Sequence, residues 1–126
     1  LMKSIGSTNV VVFRADHQSD FVKRVIGLPG DQVSYKDGNL FINGKAVEEP
    51  FLFGDDEVHT LNQLTNDFSL LELTGEETVP EGHIFVIGDN RLGSYDSRHF
   101  GCITINQVVG KVNLRYYPFQ HIDISF

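Results

Sequence analysis

A single cysteine, Cys102, is the whole thiol complement of this 126-residue chain, which excludes an internal disulfide and any cysteine-based zinc site. Basic charge is also scarce. Lys and Arg number 10 against 17 Asp and Glu, a formal net charge of -7 that would repel a phosphate backbone and argues against nucleic-acid binding. The five histidines, at 17, 59, 83, 99 and 121, never fall at the i, i+2 or i, i+4 spacings that aim two imidazoles at one metal. Nothing therefore points to a metal or another cofactor. No apolar run approaches the ~20 residues a bilayer requires, so none of these residues reads as a membrane span. Repeats and low-complexity tracts are absent as well.

What is present is a set of short β-branched and aromatic runs, separated by Gly, Pro, Asn and Asp, with no helical periodicity sustained over three turns. The chain is long enough for one domain with a single core. The pattern predicts a mainly β fold. Asn9 to Phe13 reads as a strand buried on both faces, and Asp20 to Ile26 as a second, ended by Gly27-Leu28-Pro29-Gly30. VSYK, NLFI and KAV are then separated by Asp37-Gly38 and Asn43-Gly44, dipeptides suited to type I′ turns, which predicts a three-stranded meander. Phe51 to Thr78 mixes apolar pairs with Asp55, Asp56, Glu57, Glu72, Glu76 and Glu77, most simply solvated faces. Pro80-Glu81-Gly82 turns the chain into a strand over His83 to Ile87, and Val108 to Tyr117 reads as the last long strand.

Two strings carry chemistry. In KRVIGLPGD, Lys23 to Asp31, a strand puts Lys23 on one face with Phe21 and Val25, between apolar Val22 and Ile26. Hydrocarbon, not an adjacent acid, surrounds the stem. Such an amine is a candidate base, because a lysine serves a nucleophile only when neutral at working pH. Local sequence alone reads Lys23-Arg24 more readily as a basic pair at a sheet edge. In GDNRLGSYDSR, Gly88 to Arg98, Asp89, Asn90, Ser94, Asp96 and Ser97 are all able to bond nearby amides. A rigid polar loop follows, with or without a catalytic role.

Together these strings resemble the signature boxes of type I signal peptidases, membrane-anchored serine proteases that pair a serine with a lysine. Weaker agreement runs through NVVVF, Asn9 to Phe13, and VVGKVNLRYYPF, Val108 to Phe119, so that about half the chain is covered. The resemblance implies a signal-peptidase-like assembly of antiparallel sheets, residues 1–126 forming one extracytoplasmic peptidase domain with 36–80 as a less specific β-rich insertion. It implies Lys23 as general base, Ser94 as the hydroxyl that hydrogen-bonds its amine, Asp96 as the acid that fixes the loop, and Arg98 as that acid's ion-pair partner. An extended substrate is expected to add to the strand edge at Asp20, Phe21 and Val22, with Val22 lining a shallow pocket for the small residues of A-x-A cleavage sites.

The family's nucleophile lies in a Ser-Met-x-Pro segment upstream of NVVVF, and no such segment occurs between Leu1 and Phe126. The resemblance therefore assigns both the nucleophile and the N-terminal membrane anchor to residues outside this chain. Signal peptides of exported preproteins are the implied partners, met at the cell membrane on its extracytoplasmic side. Arg115 to Phe119 and Phe126 suit either a membrane interface or, more simply, strand packing. A competing class is a non-catalytic signal-peptidase-like assembly or chaperone factor, against which the retained Lys23 argues. A self-cleaving repressor would need a DNA-binding helical segment and lacks both strings.

Overall fold

The computed structural model describes residues 5–14, 20–49, 65–91 and 93–112. Two antiparallel sheets organise them. Strands β1 (Val10–Arg14), β2 (Asp20–Gly27), β7 (His83–Ile87), β8 (Ile103–Thr104) and β9 (Val108–Val112) form a five-stranded sheet in the order β8-β7-β2-β1-β9. Strands β3 (Val33–Lys36), β4 (Asn39–Ile42), β5 (Lys45–Val47) and β6 (Phe68–Ser69) form a four-stranded sheet in the order β5-β4-β3-β6. The mainly β expectation holds, and so does the meander. Asp37 and Gly38 stand at φ 54° and 80°, Asn43 and Gly44 at 54° and 83°, the paired positive φ values that a type I′ hairpin demands.

Period-two alternation in β2 and β7 divides their side chains between two cores. Ile26, Phe85 and Ile87 join Val33, Tyr35, Leu40, Leu70 and Val79 in a cluster shared with the smaller sheet. Val25, Ile84 and Val86 join Val11, Phe13, Ile103 and Val108 on the opposite face. Lys23 alternates with Val25 and so belongs to this second face.

The two sheets approach closely at Gly27. A Cβ there would lie 2.8 Å from Val33 Cγ2, 3.1 Å from Val79 Cγ2 and 3.2 Å from Phe85 Cβ. Gly27→Ala is expected to cost about 1–3 kcal/mol by overpacking, read as a lowered denaturant midpoint at unchanged m-value. A midpoint equal to the parent's would show that the sheets can separate freely at this point. The chain then turns through Pro29 and Gly30, Gly30 at φ 91°, with the Asp31 carboxylate accepting the Leu28 N–H at 2.9 Å.

Among the described residues two short α-helices depart from the expected pattern. Helix α1 (Leu70–Thr74) begins with a capping box in which Ser69 Oγ accepts the Glu72 N–H and Glu72 accepts the Ser69 N–H, and Gly75 ends it at φ 82°. One turn is too short to register as periodicity. Helix α2 (Ser97–Phe100) is capped by Asp96, so the end of the polar loop is helical. Glu72, Glu76 and Glu77 are exposed as expected. The acidic run at 55–57, the continuation of the last strand over 113–117, the 115–119 aromatic run and Phe126 lie outside the described residues. Among the described residues no helix is long and apolar enough to cross a membrane.

Candidate active site

Strand β2 delivers Lys23, and the loop after β7 delivers Ser94, 71 positions later. The Lys23 Nζ donates to Ser94 Oγ at 2.9 Å, and the contact is buried. Both residues are 8% exposed. The Phe21 ring stands 5.9 Å from Nζ, and Phe21 in turn lies 6.3 Å from the Tyr95 ring and 6.2 Å from Phe100. This aromatic wall limits hydration of the amine. Burial therefore lowers the Lys23 pKa from its ordinary 10.5, because a charge is poorly solvated there. Asp96 opposes that shift and Arg98 reinforces it. An acid is thus within electrostatic reach, contrary to what the neighbours of Lys23 along the strand suggested; it comes from the distant loop.

Asp96 is fully buried and organises that loop. Its carboxylate accepts the Gly88 N–H at 2.9 Å and the Arg98 N–H at 3.1 Å. It also receives the Arg98 guanidinium through Nε at 2.9 Å and Nη2 at 2.8 Å. Burial alone would raise its pKa, but the Arg98 and Gly88 hydrogen bonds with the Arg98 charge hold it below the usual carboxylate value. Ser97 Oγ accepts the Val86 N–H at 2.9 Å, tying the start of α2 to β7. Ser94 N–H donates to Asn90 O at 2.9 Å, closing the turn that presents the hydroxyl.

Arg24 points to the opposite face from Lys23 and forms a fork on Asp89, with Nε to Oδ1 at 3.0 Å and Nη2 to Oδ2 at 2.7 Å. Its Nη1 donates to Thr8 O at 3.0 Å. Local sequence reasoning missed this pair. The register Arg24↔Ile87 places Asp89 just beyond the strand end, information that exists only once β2 and β7 are paired.

The start of β2 is open on one side. Pairing of β2 with β7 begins at Arg24, so among the described residues no strand covers that side of Asp20 to Lys23. Val25 donates its N–H to Asn9 O at 2.7 Å. By antiparallel alternation Phe21 and Lys23 also turn their polar groups toward β1, and those of Asp20 and Val22 face the open edge. Val22 is half-buried on the face opposite Lys23, whereas Asp20 is exposed and pairs with Arg14 at 3.2 Å, a surface contact of little energetic weight. Among the described residues no group of three or more His, Cys, Asp or Glu is placed to hold a metal ion.

A family model described as "Signal peptidase, peptidase S26" matches residues 2–117. Similar curated proteins include a "Signal peptidase I" from Bacillus caldolyticus, 52% identical over 118 residues that cover 94% of this chain and 65% of the relative. A "Signal peptidase I V" from Bacillus subtilis (strain 168) is 46% identical over 111 residues, covering 88% and 66%. The crystal structure of a signal peptidase I from Enterococcus faecalis V583 aligns with a TM-score of 0.79 at 38% identity, over 90% of this chain and 100% of that one. The chain thus spans 65% and 66% of the length of these two curated relatives.

Proposed function

Because this chain belongs to the signal peptidase family, peptidase S26, we propose that it is the base-bearing part of a type I signal peptidase, a serine endopeptidase that removes signal peptides from exported preproteins. The observation that carries the reading is the buried 2.9 Å contact between Lys23 Nζ and Ser94 Oγ beside an aromatic wall. In this reading the neutral Lys23 amine takes the hydroxyl proton of a serine in a Ser-Met-x-Pro segment outside residues 1–126. The serine oxygen bonds to the scissile carbonyl carbon, and the protonated amine then gives its proton to the departing peptide nitrogen. Lys23 next takes a proton from the water whose oxygen bonds to the acyl carbon, and returns it to the serine oxygen as the acyl carbon–serine oxygen bond breaks.

Ser94 orients the amine, and Asp96 with Arg98 fixes Ser94. Burial of Ser94 fits support better than direct attack on a peptide. The open edge at Asp20, Phe21 and Val22 holds an extended substrate by main-chain hydrogen bonds, and Val22 contributes to a small-residue pocket. The site works on the extracytoplasmic side of the cell membrane, to which the protein is anchored by residues outside this chain.

The test is cleavage of a peptide carrying an A-x-A site by the intact protein, with the cut mapped by mass spectrometry. Hydrolysis after the second alanine is expected. The rate should rise with pH through a limb whose midpoint lies below 10.5, since the Lys23 pKa is lowered and only the neutral amine is a base. Absence of cleavage at every pH from 6 to 10 would overturn the assignment.

A further inference from the structure

A second polar cluster, wholly buried, lies on the smaller-sheet side of the same loop. Arg91 turns its side chain inward, where it is 1% exposed, and its Nη2 lies 3.0 Å from Glu49 Oε2, itself on a side chain 5% exposed. Arg91 Nη1 donates to Tyr35 Oη at 2.6 Å, the Tyr35 hydroxyl donates to Glu49 Oε2, and the guanidinium carbon stands 5.4 Å from the Tyr35 ring. Burial keeps that hydroxyl protonated, pushing its pKa far up. Tyr35 is on β3 and Glu49 follows β5. The cluster therefore belongs to the smaller sheet, whereas Arg91 belongs to the loop that carries Ser94.

Arg91 grips that loop at two places. Its Nε donates to Gly88 O at 2.9 Å, and the N–H of the same glycine donates to Asp96. Its own carbonyl accepts Arg98 Nη1 at 2.9 Å. Asn90, adjacent in the chain, accepts the Ser94 N–H. A continuous path of short contacts thus runs from Tyr35 and Glu49 through Arg91 to Ser94 and Lys23.

Stability alone gives no reason for such a cluster. Well-packed apolar side chains of similar volume often replace a buried ion pair at no net cost. What they cannot supply is direction: a guanidinium held by a hydroxyl and a carboxylate presents its remaining donors at fixed angles. We propose that Tyr35 and Glu49, acting through Arg91, are positioning residues that hold the Gly88–Asp96 loop so that Ser94 stays against Lys23. The smaller sheet is then part of the catalytic apparatus, not only its support. This rests on the reading of Lys23 as the base.

Two variants of the intact protein test it: Tyr35→Phe, which deletes one oxygen, and Arg91→Met combined with Glu49→Leu, which replaces the ion pair by hydrocarbon. The readouts are thermal unfolding, the titration of the Lys23 amine followed by lysine 13Cε NMR, and kcat and KM on an A-x-A peptide. The charged groups that act on Lys23, Asp96 and Arg98, are unchanged in both variants. With Ser94 loosened, water reaches the amine, so its titration midpoint should move up toward the ordinary lysine value. kcat should fall about ten- to hundredfold with KM within about twofold, the size of effect that slight misplacement of a reacting group produces.

A folded variant with an altered melting temperature but the parent's Lys23 titration and kcat would overturn the proposal and leave a structural tie. If the double replacement does not fold, Tyr35→Phe decides. The amine titration needs no substrate, so a parent protein without peptidase activity would sink the proposed function while this inference is still read from Lys23.

Discussion

Lys23→Ala in the intact protein is expected to lower cleavage of an A-x-A peptide by roughly 10²–10⁴-fold, the contribution of a positioned general base, with the fold retained. Lys23→Met is the sharper variant, since its unbranched side chain fills most of the same space. The parent holds an amine whose pKa is lowered from 10.5 by burial, so the unfolded chain binds more protons than the folded one between the folded value and 10.5. Parent stability therefore rises with pH across that window. The methionine variant lacks this slope. It should equal or exceed the parent in melting temperature at neutral pH, with the advantage shrinking as pH approaches 10.5. Loss of activity with undiminished stability would mark Lys23 as a group kept for chemistry. Turnover within tenfold of the parent would remove it from the base position.

How far the chain was legible depended on whether the determining interaction is local. Asp37-Gly38 and Asn43-Gly44 announced their hairpins because the positive φ values needed there are a property of those dipeptides. Lys23 was placed mid-strand by the apolar residues on either side of it and by the Gly27-Leu28-Pro29-Gly30 turn that ends the run. Its contact with Ser94 has no local signature, since the two are 71 positions apart; it was reached through the resemblance of the two strings. The same resemblance supplied Asp96 and Arg98, whose side chains meet across a helix N-terminus that spacing alone did not disclose. Glu49 was not singled out at all. It follows a short strand in the segment of weakest resemblance, and an acid beside Glu48 reads as solvated until the smaller sheet folds over it and Arg91 arrives from the other sheet. Strand β6 and helix α1 escaped for a simpler reason: two and five residues are below the length at which alternation or helical period becomes visible.

Asp96→Ala should be the most destabilising single change in the loop, at about 3–5 kcal/mol, the usual consequence of removing one partner of a buried ion pair. It strands the Arg98 guanidinium, 13% exposed, and leaves the Gly88 and Arg98 amides without their acceptor. For a domain of this size the melting temperature should fall on the order of 10–20 °C. The pH dependence identifies the source. The Asp96 carboxyl is held below its ordinary value, so its stabilising contribution is complete above about pH 4 and is lost as pH falls through the lower folded value. The gap between parent and variant should therefore be constant at neutral pH and close only in stronger acid. A gap that persists unchanged to pH 2 would show that packing, not the carboxylate, accounts for the loss. Arg98→Met supplies the complementary arm, because it leaves Asp96 buried without its cation. Combined with Asp96→Ala it should cost less than the sum of the two single changes, the coupling a double-mutant cycle reports for residues in direct contact. Strict additivity would mean that Arg98 and Asp96 hold the Ser94 loop independently, although their side chains meet at 2.8 Å.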